Sequence, residues 1–400
     1  METTDFLIIG GGVVGLTMAL ELQKRHPSAK ITLIEKEDFC GFHASGRNSG
    51  VLHAGFYYTA DSLKAKFTRE GNLRWKAYCK EKKIPVNECG KLVVAKNEQE
   101  LGRLNELLNR GKANGVELHS ISSDEAKEIE PRVKTHEKAL YSPLTASVNP
   151  GEVMKNLAKE AADKNIRIMY GTAYLSKTKN GIKTNKGLIQ AGYIINAAGL
   201  YADKIAHDFG FAKDLCILPF KGLYLYSDEP SGSVRTNIYP VPDLNYPFLG
   251  VHYTITADNH IKIGPTAIPA FWREQYQGFH NFNYDEFLEI AGIETKLFFT
   301  NTLDFRKLAF TELKKIWKSH LVRLASELME GVKKDQFKKW GPSGIRAQLY
   351  NKQTKKLEMD FHYEGDRNSF HILNAVSPAF TCALPFAEFL VDKIEYHFKK

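Results

Sequence analysis

The stretch Asp5–Lys36, DFLIIGGGVVGLTMALELQKRHPSAKITLIEK, decides the fold. An apolar run from Phe6 to Ile9 meets three glycines, a helical pattern follows, and a second apolar run from Ile31 to Ile34 ends in Glu35. That order reads as strand, tight turn, helix and second strand. Gly10, Gly12 and Gly15 carry the spacing G-x-G-x-x-G. Gly10 permits the turn, Gly12 lets the backbone approach a pyrophosphate, and Gly15 lets the helix pack close to the strand. The helix amino terminus offers N–H groups and partial positive charge to that phosphate. Glu35, with Lys36 beside it, ends the second strand where an acid accepts hydrogen bonds from a ribose. Three glycines alone would serve any turn; the strand, helix and acid around them point to an adenine dinucleotide.

Beyond this unit the segment Cys40 to Gly55, CGFHASGRNSGVLHAG, is too rich in glycine and serine for a helix and too long for a simple turn, so it reads as a functional loop. Helices are expected over Ala60–Lys82, Glu98–Asn114 and Asn149–Lys164, and Ser122–Pro131 carries a helix start that Ser123 or Asp124 can cap; GKLVVA (Gly90–Ala95) and Arg167–Tyr170 read as strands. Ile189–Ala206 reads as a buried strand, a small-residue turn and a helix. From Leu218 short aromatic and β-branched runs broken by Gly, Pro and Asp predict a mixed or antiparallel sheet. Tyr284–Lys339 reads as long and helical, and the chain closes with a strand (Ser369–Leu373), a turn and a helix from Ala383. Nucleotide-type segments thus fall at the start, near Ile189 and near Ser369. The expected class is α/β (α+β overall), with a Rossmann-like dinucleotide domain over 1–84, 145–215 and 341–400, interleaved with a mixed-sheet substrate domain carrying helices over 85–144 and 216–340.

Composition narrows the setting. The chain of 400 residues exceeds the usual single-domain range, and 43% hydrophobic residues suffice for a sizeable core. The opening METTDF lacks the pattern of a secretory signal, and no apolar stretch approaches the ~20 residues of a membrane span. The expectation is a cytoplasmic protein, soluble or peripheral on the cytoplasmic face of a membrane. Five spread cysteines without a C-x-x-C pair read as reduced thiols, and no zinc-type cluster is visible, so no metal is expected. The net charge of +9 raises nucleic acid, an anionic membrane surface or acidic substrates as partners. Without a nucleic-acid module or a compact basic-aromatic stripe, nucleic acid is set aside.

Several words in the chain's order carry a resemblance. They are SGRNSGVLHAGFYY (Ser45–Tyr58), INAAGLYAD (Ile195–Asp203), PFKG (Pro219–Gly222), IYPVPDLNYPFLGVH (Ile238–His252), GPSGIRAQL (Gly341–Leu349) and NAVSPAFTCALP (Asn374–Pro385). With the glycine turn they resemble the glycine/D-amino-acid oxidase group of FAD-dependent oxidoreductases. The resemblance implies FAD as cofactor and a 2-hydroxy acid as substrate, L-2-hydroxyglutarate foremost, oxidised to 2-oxoglutarate with electrons passing to a quinone or dioxygen. An amine or amino-acid oxidase on the same scaffold, and a flavin-bound protein without turnover, remain open. Arg47 stands where family members often carry histidine.

Each candidate has a functional and a plain reading. Ser45, Asn48, Ser49 and Gly50 would present polar groups to the pyrophosphate and isoalloxazine edge, or form a surface loop. Ala198 and Gly199 give small residues and a positive φ near a dinucleotide, or merely close packing. Ser377, Pro378 and Thr381 precede the last helix, whose amino terminus would stabilise negative charge on a reduced flavin; as a helix cap they are unremarkable. Arg346, in a glycine-flanked turn, is the expected carboxylate clamp, against a surface or flavin-binding arginine. His53 is read as base or flavin partner, against a structural histidine. His252 either faces the flavin or, alternating with Leu249 and Val251, sits in the core. Tyr57, Lys221 and Tyr239 would hold a second carboxylate. Finally, Asp304–Lys339 carries ten basic and five acidic residues among apolar ones. That pattern fits an inner-membrane surface and quinone, or a solvated face.

Overall fold

The computed structural model describes residues 2–243 and 250–398. Part of the word Ile238–His252, including Leu249 of the alternation around His252, lies outside the described residues. The chain divides into two compact units, Met1–Asn48, Pro150–Pro219 and Arg346–Lys400 in the first, Ser49–Asn149 and Phe220–Ile345 in the second. Residues 49–84 therefore group with the second unit.

In the first unit an eight-stranded sheet runs Tyr174–Thr178, Gly181–Thr184, Gly187–Asn196, Glu2–Ile9, Ile31–Ile34, Arg167–Met169; Ser369–Ile372 also pairs with Gly187–Asn196 and with Tyr363–Gly365. Glu2–Ile9 is parallel to both of its neighbours, and Ser369–Ile372 is parallel to Gly187–Asn196. Ile31–Ile34 is buried at every residue, as a central parallel strand covered on both faces must be. The helix Val13–Arg25 packs on the last helix, Ala379–Phe398. That last helix begins ahead of the expected Ala383. Cys382 N–H donates to Pro378 O at 3.1 Å, and Ala379, Cys382, Ala383 and Phe386 already repeat at the buried helical spacing.

The second unit holds a mixed eight-stranded sheet in the order Phe337–Trp340, Leu225–Ser227, Ile261–Gly264, His252–Ile255, Asn237–Pro240, Lys91–Val94, Lys138–Ser142, His119–Ser122. A three-stranded sheet joins Val51–Leu52, Ala146–Val148 and Val86–Asn87. Alternation along the strands separates two faces. Leu92, Val94, Ile238, Tyr253, Ile255, Ile261 and Ile263 form one core with Leu321, Val322 and Ala325 of the helix Lys318–Ser326. Residues of opposite parity, Val93, Ala95 and Tyr239, pack with Leu104 and Leu107 of the helix Glu98–Ala113.

The expected long helix over Tyr284–Lys339 is instead three helices, Tyr284–Thr300, Phe305–Lys314 and Lys318–Ser326, before the strand Phe337–Trp340. Asn301, Leu303 and Asp304 have φ of 49°, 64° and 54°, a left-handed conformation that cannot continue an α-helix. The helix expected to be capped by Ser123 or Asp124 is capped instead by Ser122, in a capping box with Glu125. All five cysteines are free thiols. Among the described residues no helix is long and apolar enough to cross a membrane.

Candidate active site

The glycine turn of the first unit is built so tightly that side chains are excluded. Gly10 has φ +112°, and a Cβ there would stand 2.5 Å from the Ala197 carbonyl oxygen in the NAAG turn. A Cβ on Gly15 would stand 2.0 Å from the Gly10 carbonyl oxygen. The packing role expected of Gly15 and the turn role of Gly10 thus both appear. Gly12 is the N-cap and brings no side-chain acceptor to the helix start; Ser45 Oγ instead accepts from Val13 N–H at 2.9 Å. Glu35 accepts from Gly11 N–H at 2.8 Å and from Glu37 N–H at 2.9 Å, one oxygen each. Burial pushes its carboxyl above the usual range, and these two donors oppose that shift.

Other expected residues of this unit surround the turn in different ways. Lys36 Nζ pairs with Glu37 at 2.5 Å and lies 5.7 Å from the Tyr201 ring centre. Asn48 closes the polar loop by donating to Ser45 O at 2.7 Å. Arg47 folds back on the same loop, donating to Phe42 O at 2.7 Å with its guanidinium 4.7 Å over the Phe42 ring. Ala198 N–H donates to Asn196 Oδ1 at 3.2 Å, and Gly199 has φ +56°. Ser377 is exposed, Pro378 is buried, and Thr381 is buried inside the first turn of the last helix rather than ahead of it. Arg346 is half-buried on the strand Gly344–Asn351, not in a turn; the residues 341–343 just before that strand have no regular structure.

The second unit gathers a row of polar and aromatic side chains on one face of its large sheet. Lys91 pairs with Asn237 and Val93 with Tyr239, while Thr254 pairs with Lys262 and His252 with Gly264. The register Ile238 to Tyr253 sets Tyr239 across from His252, and their rings stack 3.7 Å apart at 17°. Lys91, with no solvent exposure, stands 4.2 Å from the Tyr239 ring centre, 5.2 Å from Tyr57 and 5.7 Å from Phe56. Its Nζ lies 3.4 Å from His53 Nδ1. His53 follows the short strand Val51–Leu52, and Asn72 of the helix Leu63–Glu81 fixes that exit by donating to Leu52 O, His53 O and Leu144 O at 2.9, 3.2 and 3.1 Å. Lys262 donates to Ser49 O at 3.0 Å, with the Tyr224 ring centre 4.6 Å away. Gly50 O accepts from Val148 N–H at 2.8 Å.

The electrostatics of this row follow mainly from burial, which the Asp258 carboxylate opposes at Lys262. Burial, then the positive charge of Lys91, then His252, hold His53 well below the usual histidine range. Burial also brings Lys91 down to about 7 and Lys262 down to about 8. His252 is buried, with Nδ1 2.8 Å from Gly250 O. Among the described residues the buried Tyr57 hydroxyl has no hydrogen-bond partner. Lys221, half-buried on the strand Leu215–Gly222, has its ammonium depressed by burial. The structure therefore brings His53, Tyr57, Tyr239 and His252 into one cluster through Lys91, a residue that the sequence reading passed over. Its signal was present: in GKLVVA, as in HIKIG around Lys262, a lysine occupies an alternating position between residues that a buried strand requires.

The model of the DAO family, FAD dependent oxidoreductases, matches residues 5–393. The chain belongs to this family. L-2-hydroxyglutarate dehydrogenase of Escherichia coli K12 is 35% identical over 399 residues, covering 98% of this chain and 93% of that protein. The mitochondrial L-2-hydroxyglutarate dehydrogenase of Bos taurus is 34% identical, covering 99% and 89%. Among solved structures, FAD-bound L-α-glycerophosphate oxidase of Mycoplasma pneumoniae is similar with a TM-score of 0.78 and 25% identity over 99% of this chain and 95% of that one. Glycine oxidase of Geobacillus kaustophilus, at 18% identity and a TM-score of 0.71 over 99% and 95%, shares the fold.

FAD is the cofactor of this DAO-family oxidoreductase, and the first unit's residues fit it. A helix start without its own side-chain cap, glycines that leave no room for Cβ, and a carboxylate held by two N–H groups at the end of the second strand suit a phosphate and a ribose.

Proposed function

We propose that this FAD-dependent oxidoreductase converts L-2-hydroxyglutarate to 2-oxoglutarate. The observation that carries the substrate is the full-length likeness to dehydrogenases of that name. Bound FAD supplies the acceptor for the hydride leaving the hydroxyl-bearing carbon. Gly10, Gly12, Gly15 and the helix they open, with Ser45, Asn48, Ser49 and Gly50, hold its phosphates and ring edge; Glu35 and Lys36 hold the ribose end. Ala198 and Gly199, and Ser377, Pro378 and Thr381 at the last helix, complete the cofactor's surroundings. The three-part dinucleotide domain and the interleaved substrate domain belong to the same reading.

His53 takes the hydroxyl proton. It is neutral near pH 7, as a base must be, because burial and the cation beside it disfavour the imidazolium. His252, fixed by its stack on Tyr239 and by Gly250 O, positions the reacting end. Arg346 clamps a carboxylate with its planar guanidinium. The orphaned Tyr57 hydroxyl, Tyr239 and the depressed Lys221 ammonium supply the remaining donors that a diacid needs. Electrons leave to a quinone at a membrane surface or to dioxygen. In support of a membrane face, Phe310 and Leu313 are exposed on the helix Phe305–Lys314, which also carries exposed Lys307 and Lys314, and Ile316 and Trp317 are exposed in the turn that follows it.

Anaerobic mixing with L-2-hydroxyglutarate, its D isomer and L-glutamate tests the substrate. The expected outcome is rapid bleaching of the flavin by the L-hydroxy acid alone. Bleaching by L-glutamate instead would make the chain an amino-acid oxidase, and no bleaching by any of the three sinks the reading.

A further inference from the structure

We infer that Lys91 and His53 form one proton-accepting dyad, in which His53 takes the substrate's proton at Nε2 and passes the proton on its Nδ1 to the Lys91 amine. The inference rests on the proposed role of His53 as base. It follows from placement: Nζ lies 3.4 Å from Nδ1, on the side of the ring away from Nε2. Among the described residues no carboxylate pairs with Lys91. Among the described residues, the ionisable groups facing the pair include Tyr57, Tyr239, His252 and the Cys89 thiol, which burial keeps protonated.

A buried histidine held far below its usual range is a weak base, since its imidazolium has lost hydration. The amine behind it binds a proton more tightly, near pH 7, where a base works best. The rings of Tyr239, Tyr57 and Phe56 surround Nζ at 4.2 to 5.7 Å and offer their negative faces to the ammonium that forms. The step balances: the substrate O–H bond breaks and Nε2–H forms, then Nδ1–H breaks and Nζ–H forms. One neutral imidazole and one ammonium result, while the substrate's electron pair leaves in the oxidation itself. At higher pH the resting dyad is neutral; at lower pH Lys91 already carries the proton and the dyad is closed. The acid limb of the rate therefore reports Lys91, not His53.

The test is a double-mutant cycle on flavin reduction by L-2-hydroxyglutarate across pH 5.5 to 9, using flavin-loaded holoenzyme of Lys91→Met, Lys91→Arg, His53→Gln and His53→Gln/Lys91→Met. Lys91→Met is expected to slow reduction at pH 8 by about tenfold or more with little change in KM, and to move the acid limb at least one pH unit lower. Lys91→Arg keeps a cation but cannot accept a proton, so it is expected not to restore the rate. In the His53→Gln background, loss of Lys91 should cost less than about twofold, because the two act as a unit. An unmoved acid limb, rescue by arginine, or the same loss with and without His53 overturns the dyad. A normal rate in His53→Gln alone overturns instead the reading of His53 as base.

Discussion

At the scale of the single residue, Lys91 shows how a functional group is held at the expense of stability. Its ammonium is depressed to about 7, against the ordinary lysine value of 10.5. Between those pH values the unfolded chain binds a proton that the folded chain does not, so stability rises with pH through that window and the full penalty applies below it. Lys91→Met should therefore be more stable than the parent at pH 6, by on the order of 3 kcal/mol, and lose that advantage as pH climbs toward 10. Urea denaturation at several pH values measures it; a constant difference contradicts the assignment. Arg346→Ala should keep its flavin while KM for the hydroxy acid rises about a hundredfold, as loss of a bidentate carboxylate contact predicts. Unchanged steady-state kinetics would remove the clamp.

At the scale of the element, the glycine turn and the exit of the Val51–Leu52 strand bear the geometry. Gly15→Ala places a methyl group 2.0 Å from the Gly10 carbonyl oxygen, so a loss above about 4 kcal/mol and failure to retain FAD are expected, read by thermal unfolding and by absorbance after gel filtration. Ser45→Ala removes the acceptor for Val13 N–H; in the flavin-free protein about 1 kcal/mol and a few degrees in Tm are expected. These elements were legible because their signals are local: a strand period turning into a helix period at fixed glycines, and an acid at the end of the next strand. The His53 cluster was only half legible. His53, Tyr57, Tyr239 and His252 stand in recognisable words, but a lone lysine in a strand reads as solvent-facing. What buries Lys91 is the pairing with Asn237–Pro240 and the turn holding Tyr57, contacts between residues far apart in sequence. The break at Asn301–Asp304 was illegible for a related reason. Asn and Asp tolerate left-handed backbone, yet nothing local compels Leu303 to adopt it.

At the scale of the whole molecule, charge and connectivity matter more than any one contact. The exposed apolar row near Trp317 beside basic residues should bind anionic phospholipid vesicles, weakening as salt rises, while neutral vesicles bind poorly. Trp317→Ser with Phe310→Ser should cut binding about tenfold in a flotation assay; equal binding by the variant would leave the face as plain solvated surface. Connectivity has another result. In the first unit the central strand Gly187–Asn196 pairs with Glu2–Ile9 and with Ser369–Ile372, and the helix of the glycine turn packs on the last helix of the chain. A ribosome delivers these partners hundreds of residues apart. Ile31–Ile34 can pair with Glu2–Ile9 early, but the other partners arrive only after most of the chain, including every segment of the second unit, has been made. Synthesis order thus leaves the first unit unable to close its sheet until its last strand and helix have been made.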